Sequence, residues 1–208
     1  PLEPIRVAQA VKKMGLRHVV ITSVDRDDLK GDFGASIWAD TIKQTKKVNP
    51  GCTVEVLTPD FKGFEPALKI VFDSKPDIFS HNVECVERIS KAVRAQANWQ
   101  RSLGVLEKSI QHGLRTKTGI MVGLGEEVEE VKKTMRQVVD LGVQIFTIGQ
   151  YLQPTKNHLK VEEYISKEQF ELYKEYGYSI GFKVVESGPL VRSSYHADEQ
   201  ARMVFNNG

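Results

Sequence analysis

The sequence predicts an α/β fold built on a parallel sheet or barrel. Three observations lead there. Short apolar runs alternate with amphipathic helical patterns along the whole chain of 208 residues. Proline opens two of the helical patterns and glycine closes two, the asymmetry expected at helix ends. Polar residues gather just after most of the apolar runs, where the strands of a parallel sheet would present a ligand site.

Taken in order, the first helix starts near Pro4 and stops at Gly15, with Val7, Val11 and Met14 on one face. His18 to Ile21 reads as a buried strand, and Ala35 to Lys46 as a helix. Val54 to Leu57 is a strand, Pro66 to Phe72 a short helix, and Ile78 to Asn82 a third strand. Gln100 to Gly113 is helical and Thr118 to Val122 is a fourth strand. Glu126 to Leu141 carries the clearest helical stripe, Val128, Val131, Met135 and Val138. Glu126 and Glu127 suit its N-terminus through the helix dipole, and Gly142 ends it. Gln144 to Ile148 is a strand, Lys167 to Tyr176 a helix, and Phe182 to Val185 a last strand. Residues 186–208 read as an irregular tail. With no linker and no repeat beyond the alternation itself, residues 1–208 read as one domain.

Composition excludes several function classes. Charged residues make up 27% and hydrophobic ones 40%, as in ordinary globular proteins. A net charge of +2 offers no electrostatic case for nucleic acid. No apolar run approaches the roughly 20 residues of a membrane span. Pro1 to Pro4 has no targeting character and reads as a cut edge. The two cysteines, Cys52 and Cys85, read as unpaired thiols and are too few for a four-thiolate iron–sulfur site.

Five of the strand ends are polar. They are Thr22 to Asp28, Thr58 to Asp60, Asn82 and Glu84, Gly123 to Glu126, and Gly149 to Pro154. Together they predict an active-site mouth, against the simpler reading of loop polarity and helix capping by Asp25 or Asp27. Asp25 to Asp28 crowds carboxylates around Arg26, a clamp for a cationic or zwitterionic ligand. The glycines at 119, 123 and 125 form neither a Walker A motif nor a GxGxxG fingerprint, and suit close backbone approach to a ring or ribose. No HExxH or paired-histidine spacing predicts zinc, and Ser193 and Ser194 lack a GxSxG elbow. Lys117 lies at the start of a strand, the wrong end for a Schiff-base lysine.

Six stretches carry a resemblance. They are VVITSVDRDDL (19–29), EVLTPDF (55–61), HNVE (81–84), GIMVGLGE (119–126), TIGQYLQP (147–154) and GPLVRSSYHA (188–197). Together they resemble the lipoyl synthase family of radical S-adenosylmethionine (SAM) enzymes over essentially the whole chain. The resemblance implies a partial (β/α)6 radical-SAM barrel. It further implies that the first strand and the cluster loop are missing, which leaves five strands in an open arc whose exposed edge is His18 to Ile21.

The implied activity is SAM-dependent insertion of two sulfur atoms at C6 and C8 of a protein-bound octanoyl group. The implied cofactors are SAM and two 4Fe-4S clusters. The implied partners are an octanoylated lipoyl-carrier domain, an electron donor such as ferredoxin or flavodoxin, and an iron–sulfur carrier, with no nucleic acid and no membrane. The implied compartment is the bacterial cytoplasm, or the mitochondrion in a eukaryote.

By the same resemblance Thr22, Ser23 and Asp25 hold the methionine moiety, with Asn82 and Glu84 on the next wall. Gly123, Gly125 and Glu126 approach ribose and adenine, and Tyr151 to Gln153 close the adenine side. Ser194 is implied as the auxiliary-cluster ligand, with Ser193 its competitor and Arg192 as support for its deprotonation. The family's CxxxCxxC motif and a second cysteine set are absent, and Trp99, Cys85 and Ile37 replace commoner residues. The chain therefore reads as about the C-terminal two-thirds of such a protein, inactive alone. The alternative is a cluster-free α/β domain that binds a nucleoside or a carrier protein without catalysis.

Overall fold

The computed structural model describes residues 2–93 and 98–206. In chain order the elements are α1 (Glu3–Met14), β1 (His18–Thr22), α2 (Ala35–Val48), β2 (Thr53–Leu57), α3 (Glu65–Asp73), β3 (Ile78–Ser80) and α4 (Ser90–Val93). They continue with α5 (Trp99–Gln111), β4 (Thr116–Val122), α6 (Val128–Asp140), β5 (Ile145–Gln150), α7 (Lys167–Ser179), β6 (Val184–Gly188) and α8 (Ala197–Asn206). The sheet holds six strands in sequence order, and every neighbouring pair is parallel. Six strands, not five, make the arc, because β6 pairs along β5 from Val184 to Gly188.

Local chemistry explains the punctuation. Gly15 takes the left-handed conformation, φ 64°, and its amide closes α1 onto the Lys12 carbonyl. Asp32, rather than Asp25 or Asp27, caps α2 by accepting from the Gly34 and Ser36 amides at 3.0 and 2.9 Å. Glu127 and Glu130 form a capping box, so α6 begins at Val128, two residues later than the charge pattern suggests. The Ser166 hydroxyl accepts from the Gln169 amide and caps α7.

Each strand shows one face to the helices and the other to the arc's interior. Val54, Val56 and Phe79 pack with Ile42 and Leu68 of the outer helices. Ile120, Val122, Phe146 and Ile148 pack with Val131, Met135 and Phe170. Tyr151, Trp99 and Phe146 are buried, as core residues should be.

The tail differs from its irregular reading. Its last described residues form α8, whose Ala201 and Val204 pack on Ile78, Ile145 and Val184. Those three begin β3, β5 and β6, so α8 plugs the interior at the N-terminal ends of the strands. It also touches β1 and β6, the two strands that have a single neighbour. Among the described residues no helix is long and apolar enough to cross a membrane.

Candidate functional site

A cavity of about 370 Å³ opens inside the arc, at the opposite end from α8. Val20 and Thr22 of β1, Leu57 of β2, Gly119 and Met121 of β4, and Thr147 and Gly149 of β5 line it. Asn82 and Glu84 supply the wall beyond β3, and Val191 to Ser194 of the tail close it. Alternation puts these side chains inside, since their neighbours Val56, Ile148 and Val122 face the helices.

One glycine makes the tail's approach possible, and another makes room for a neighbouring strand's side chain. A Cβ on Gly149 would collide with the Val191 carbonyl oxygen, and one on Gly119 with the Thr147 hydroxyl. Glu84 stands in the left-handed region at φ 71°, held there by an isolated bridge to β4. Its amide donates to the Gly119 carbonyl at 3.2 Å and its carbonyl accepts from Met121 at 2.8 Å.

The cavity gathers eight of the residues singled out from the sequence: Thr22, Asn82, Glu84, Gly119, Gly149, Arg192, Ser193 and Ser194. The others lie elsewhere. Ser23 lines a second cavity of about 140 Å³ between α1, α2 and the loop after β1. Asp25 is exposed on that loop. Arg26 pairs with Asp28 through two hydrogen bonds, at 2.8 and 2.7 Å, and holds that carboxyl below its ordinary pKa.

Glu126 turns back on its own loop and accepts from the Gly123 and Leu124 amides. Gly123 and Gly125 have φ of 100° and 89°, which favours glycine. A Cβ on Gly123 would meet the Gln150 side-chain amide and the Glu163 carbonyl, and the Gly123 carbonyl accepts from the Glu162 and Glu163 amides. Tyr151 donates its hydroxyl to the Leu159 carbonyl at 2.8 Å, and Gln153 donates to the His158 carbonyl at 2.9 Å. These two organise the loop after β5.

The two serines have different surroundings. The Asn82 amide donates to the Ser193 hydroxyl at 2.9 Å, and the Ser193 carbonyl accepts from Lys117 at 2.6 Å. Ser194 is exposed, and its recorded hydrogen bond is made by its carbonyl, not its hydroxyl. Arg192 spends its guanidinium on the Val191 and Pro189 carbonyls rather than on a serine hydroxyl.

The cysteines stand apart from the cavity. Cys85 is buried in the core under α5 and α6, and burial pushes its thiol pKa up to about 12. Cys52 is also buried, and its pKa is raised by the same cause. Among the described residues no group of three His, Cys, Asp or Glu side chains could hold a metal ion. The chain's own residues therefore do not fit a thiolate-bound cluster.

Sequence reasoning missed the cavity floor, where His18, Glu55 and Lys117 meet. A signal was present: a glutamate and a lysine each sit inside an apolar strand, where both faces of a parallel sheet are covered.

Comparison with known proteins agrees with this architecture. Residues 1–138 match the model of the Radical SAM superfamily. The chain is 58% identical over 200 residues to a lipoyl synthase of Rubrobacter xylanophilus, covering 95% of this chain and 62% of that protein. It is 52% identical to a lipoyl synthase of Phocaeicola vulgatus, covering 97% of this chain and 71% of that protein.

Among solved structures, Streptococcus suis SuiB superposes with a TM-score of 0.68 at 10% identity, over 90% of this chain and 42% of that one. Methylornithine synthase (PylB) superposes with a TM-score of 0.64 at 11% identity, over 92% and 63%. At these identities the structural likeness speaks for the fold alone. The chain belongs to the Radical SAM superfamily and, within it, to the lipoyl synthase family.

Proposed function

We propose that residues 1–208 form the single barrel domain of a lipoyl synthase, whose whole protein inserts two sulfur atoms at C6 and C8 of a protein-bound octanoyl group. The observation that carries this reading is the cavity at the C-terminal strand ends, closed by the tail bearing Arg192, Ser193 and Ser194.

The interior fits SAM. Asn82 Oδ1 is buried without a hydrogen-bond partner and can accept from a ligand N–H. Thr22 and Glu84 add polar groups, and Glu84 brings a carboxylate suited to an ammonium or to ribose hydroxyls. Gly119 and Gly149 keep the wall free of side chains on two strands. The bound group supplies hydrogen abstraction from unactivated carbon; the barrel orients it and excludes water. Ser23, Asp25, Gly123, Gly125, Glu126, Tyr151 and Gln153 shape the loops around this space.

Ser194 is the proposed oxygen ligand for an auxiliary 4Fe-4S cluster. Its hydroxyl is uncommitted, whereas the Ser193 hydroxyl is engaged by Asn82. An oxygen donor is harder than thiolate and suits an iron that must later be released. Thiolates for both clusters would come from chain beyond this sequence. Electrons would come from a ferredoxin- or flavodoxin-like donor and the octanoyl group from a carrier domain, in a bacterial cytoplasm or a mitochondrion.

The 208 residues alone are inactive in this reading, because the described cysteines are dispersed, buried and protonated. A binding domain without turnover is thus the second reading for the isolated chain.

The test compares Ser194→Ala and Ser193→Ala in a cluster-bearing protein, with 5′-deoxyadenosine and lipoyl product quantified by mass spectrometry. Ser194→Ala is expected to keep SAM cleavage and to lose lipoyl product. Full lipoyl formation by Ser194→Ala removes the ligand assignment. 5′-Deoxyadenosine production by the 208-residue chain alone removes the claim of inactivity.

A further inference from the structure

The layer directly beneath the cavity carries charge where a barrel interior ordinarily stacks branched aliphatics. Lys117 of β4 and Glu55 of β2 face each other across the interior at 2.9 Å, with side chains 1% and 0% exposed. That contact is an ion pair outside good hydrogen-bond angles. The second Glu55 oxygen lies 3.3 Å from His18 Nε2, and His18 Nδ1 lies 2.7 Å from the Thr53 hydroxyl. Lys117 then donates to the Ser193 carbonyl at 2.6 Å, across 76 residues.

Such a layer is a poor choice for stability alone. Two buried charges lose more hydration than their pairing returns, and an aliphatic replacement is commonly neutral or stabilising. What the charges do achieve is a directed bond from the barrel to the tail. An ammonium presents up to three donors, and here one of them reaches a backbone carbonyl that no apolar side chain could hold. The carbonyl belongs to Ser193, and the next residue is Ser194. From above, Asn82 holds the Ser193 hydroxyl. One residue is thus gripped at both its backbone and its side chain, which leaves the next hydroxyl as the free group at the rim.

We propose that Lys117, Glu55 and His18 form a positioning network that pins the Ser193 carbonyl to the barrel floor and so sets the placement of Ser194 at the cavity rim. Lys117 makes the contact. Glu55 holds the ammonium in place, and His18 with Thr53 holds Glu55. None of the three faces the reacting space directly. The consequence for sulfur insertion rests on the role of Ser194 proposed above; the clamp itself does not.

The experiment is amide hydrogen exchange, resolved by residue, on the 208-residue chain. Lys117→Met alone leaves Glu55 buried without its cation and risks misfolding. The informative protein is therefore the double variant Lys117→Met with Glu55→Leu, which restores an aliphatic layer. The Tyr195 and Ala197 amides, bonded to the Arg192 and Ser194 carbonyls, report on the tail turn. The strand amides of Val56 and Ile148 report on the barrel.

In the double variant the tail amides are expected to exchange on the order of tenfold faster, while the strand amides and the unfolding midpoint hold or improve. A layer with only a packing role would leave tail exchange unchanged once the aliphatics are in place, and that result overturns the proposal. The same pair of substitutions in a cluster-bearing protein is read by product. Loss of lipoyl product with retained 5′-deoxyadenosine supports the link to Ser194. Full lipoyl product alongside a loosened tail refutes that link, while the ligand role of Ser194 is decided by Ser194→Ala and the exchange result stands by itself.

Discussion

Asn82 and Ser193 lie 111 residues apart in sequence and meet through a 2.9 Å hydrogen bond inside the arc. The bond ties the end of β3 to the tail and makes one wall out of two segments. The barrel end of the cavity is built by strands, but its closure is built by pairwise contacts of this kind, and the following outcomes probe them.

Glu126 serves its own loop. Its carboxylate accepts from the Gly123 and Leu124 amides, both partly buried. Removing it leaves two donors without an acceptor, so Glu126→Ala should cost about 1–3 kcal/mol in urea unfolding. Glu126→Gln keeps an acceptor oxygen and should cost less. An unchanged midpoint for Glu126→Ala would return the residue to the surface.

Gly149 has no room for a side chain, because its Cβ would meet the Val191 carbonyl. Gly149→Ala should push the tail off the strand, at about 1–3 kcal/mol for overpacking. Faster amide exchange from Val191 to Ala197, with β2 to β4 protected, is the expected pattern. Unaltered exchange in the tail would show that the backbone yields elsewhere.

Arg88 sets a pH dependence. It forms a two-point pair with Glu130 at 2.8 Å, and that pair is the main reason the Glu130 pKa falls from 4.5 to about 2. A depressed carboxyl pKa stabilises the fold above its unfolded value and loses that stabilisation as the pH falls through the folded value. Arg88→Ala should therefore be less stable than the parent near neutral pH, with the gap closing between about pH 4.5 and 2. Both residues are partly exposed, so the gap should shrink with added salt. A gap that is constant across that window would contradict the assignment.

Cys85 should be chemically silent. With its thiol pKa near 12 and its side chain in the core, iodoacetamide at pH 8 should leave it unmodified in the folded chain and label it in urea. Mass mapping of the peptide decides this. Rapid labelling of the native chain would mean that the core under α5 and α6 opens readily.

Several of these features could be read directly from residues. The stripe Val131, Met135, Val138 defined α6 because a helix buried on one face repeats its apolar residues every three or four positions. Gly15 and Pro4 marked the limits of α1 because few residues tolerate a left-handed cap and proline suits a first turn. Polar residues after the strands pointed to the end of the sheet where the cavity opens, and Thr22, Asn82 and Glu84 line it.

What tertiary structure alone decided is which of those polar groups face one another. In a parallel sheet with both faces covered, the stretch from Thr116 to Val122 shows little alternation, so the inward placement of Lys117 is hidden. The sequence offered Glu126 as a ligand group, and only the folded glycine turn shows two amides donating to its carboxylate. The tail looked irregular because α8 is short, and its apolar stripe acquires meaning only from Ile78, Ile145 and Val184, which begin three separate strands. By itself the sequence determined the six strands and, apart from the short α4, the helices up to β6 in order, since these follow from local periodicity and backbone preference. The Asn82–Ser193 and Lys117–Ser193 contacts needed the folded arc, because bonds between residues far apart in sequence form only where the whole fold brings their backbones together.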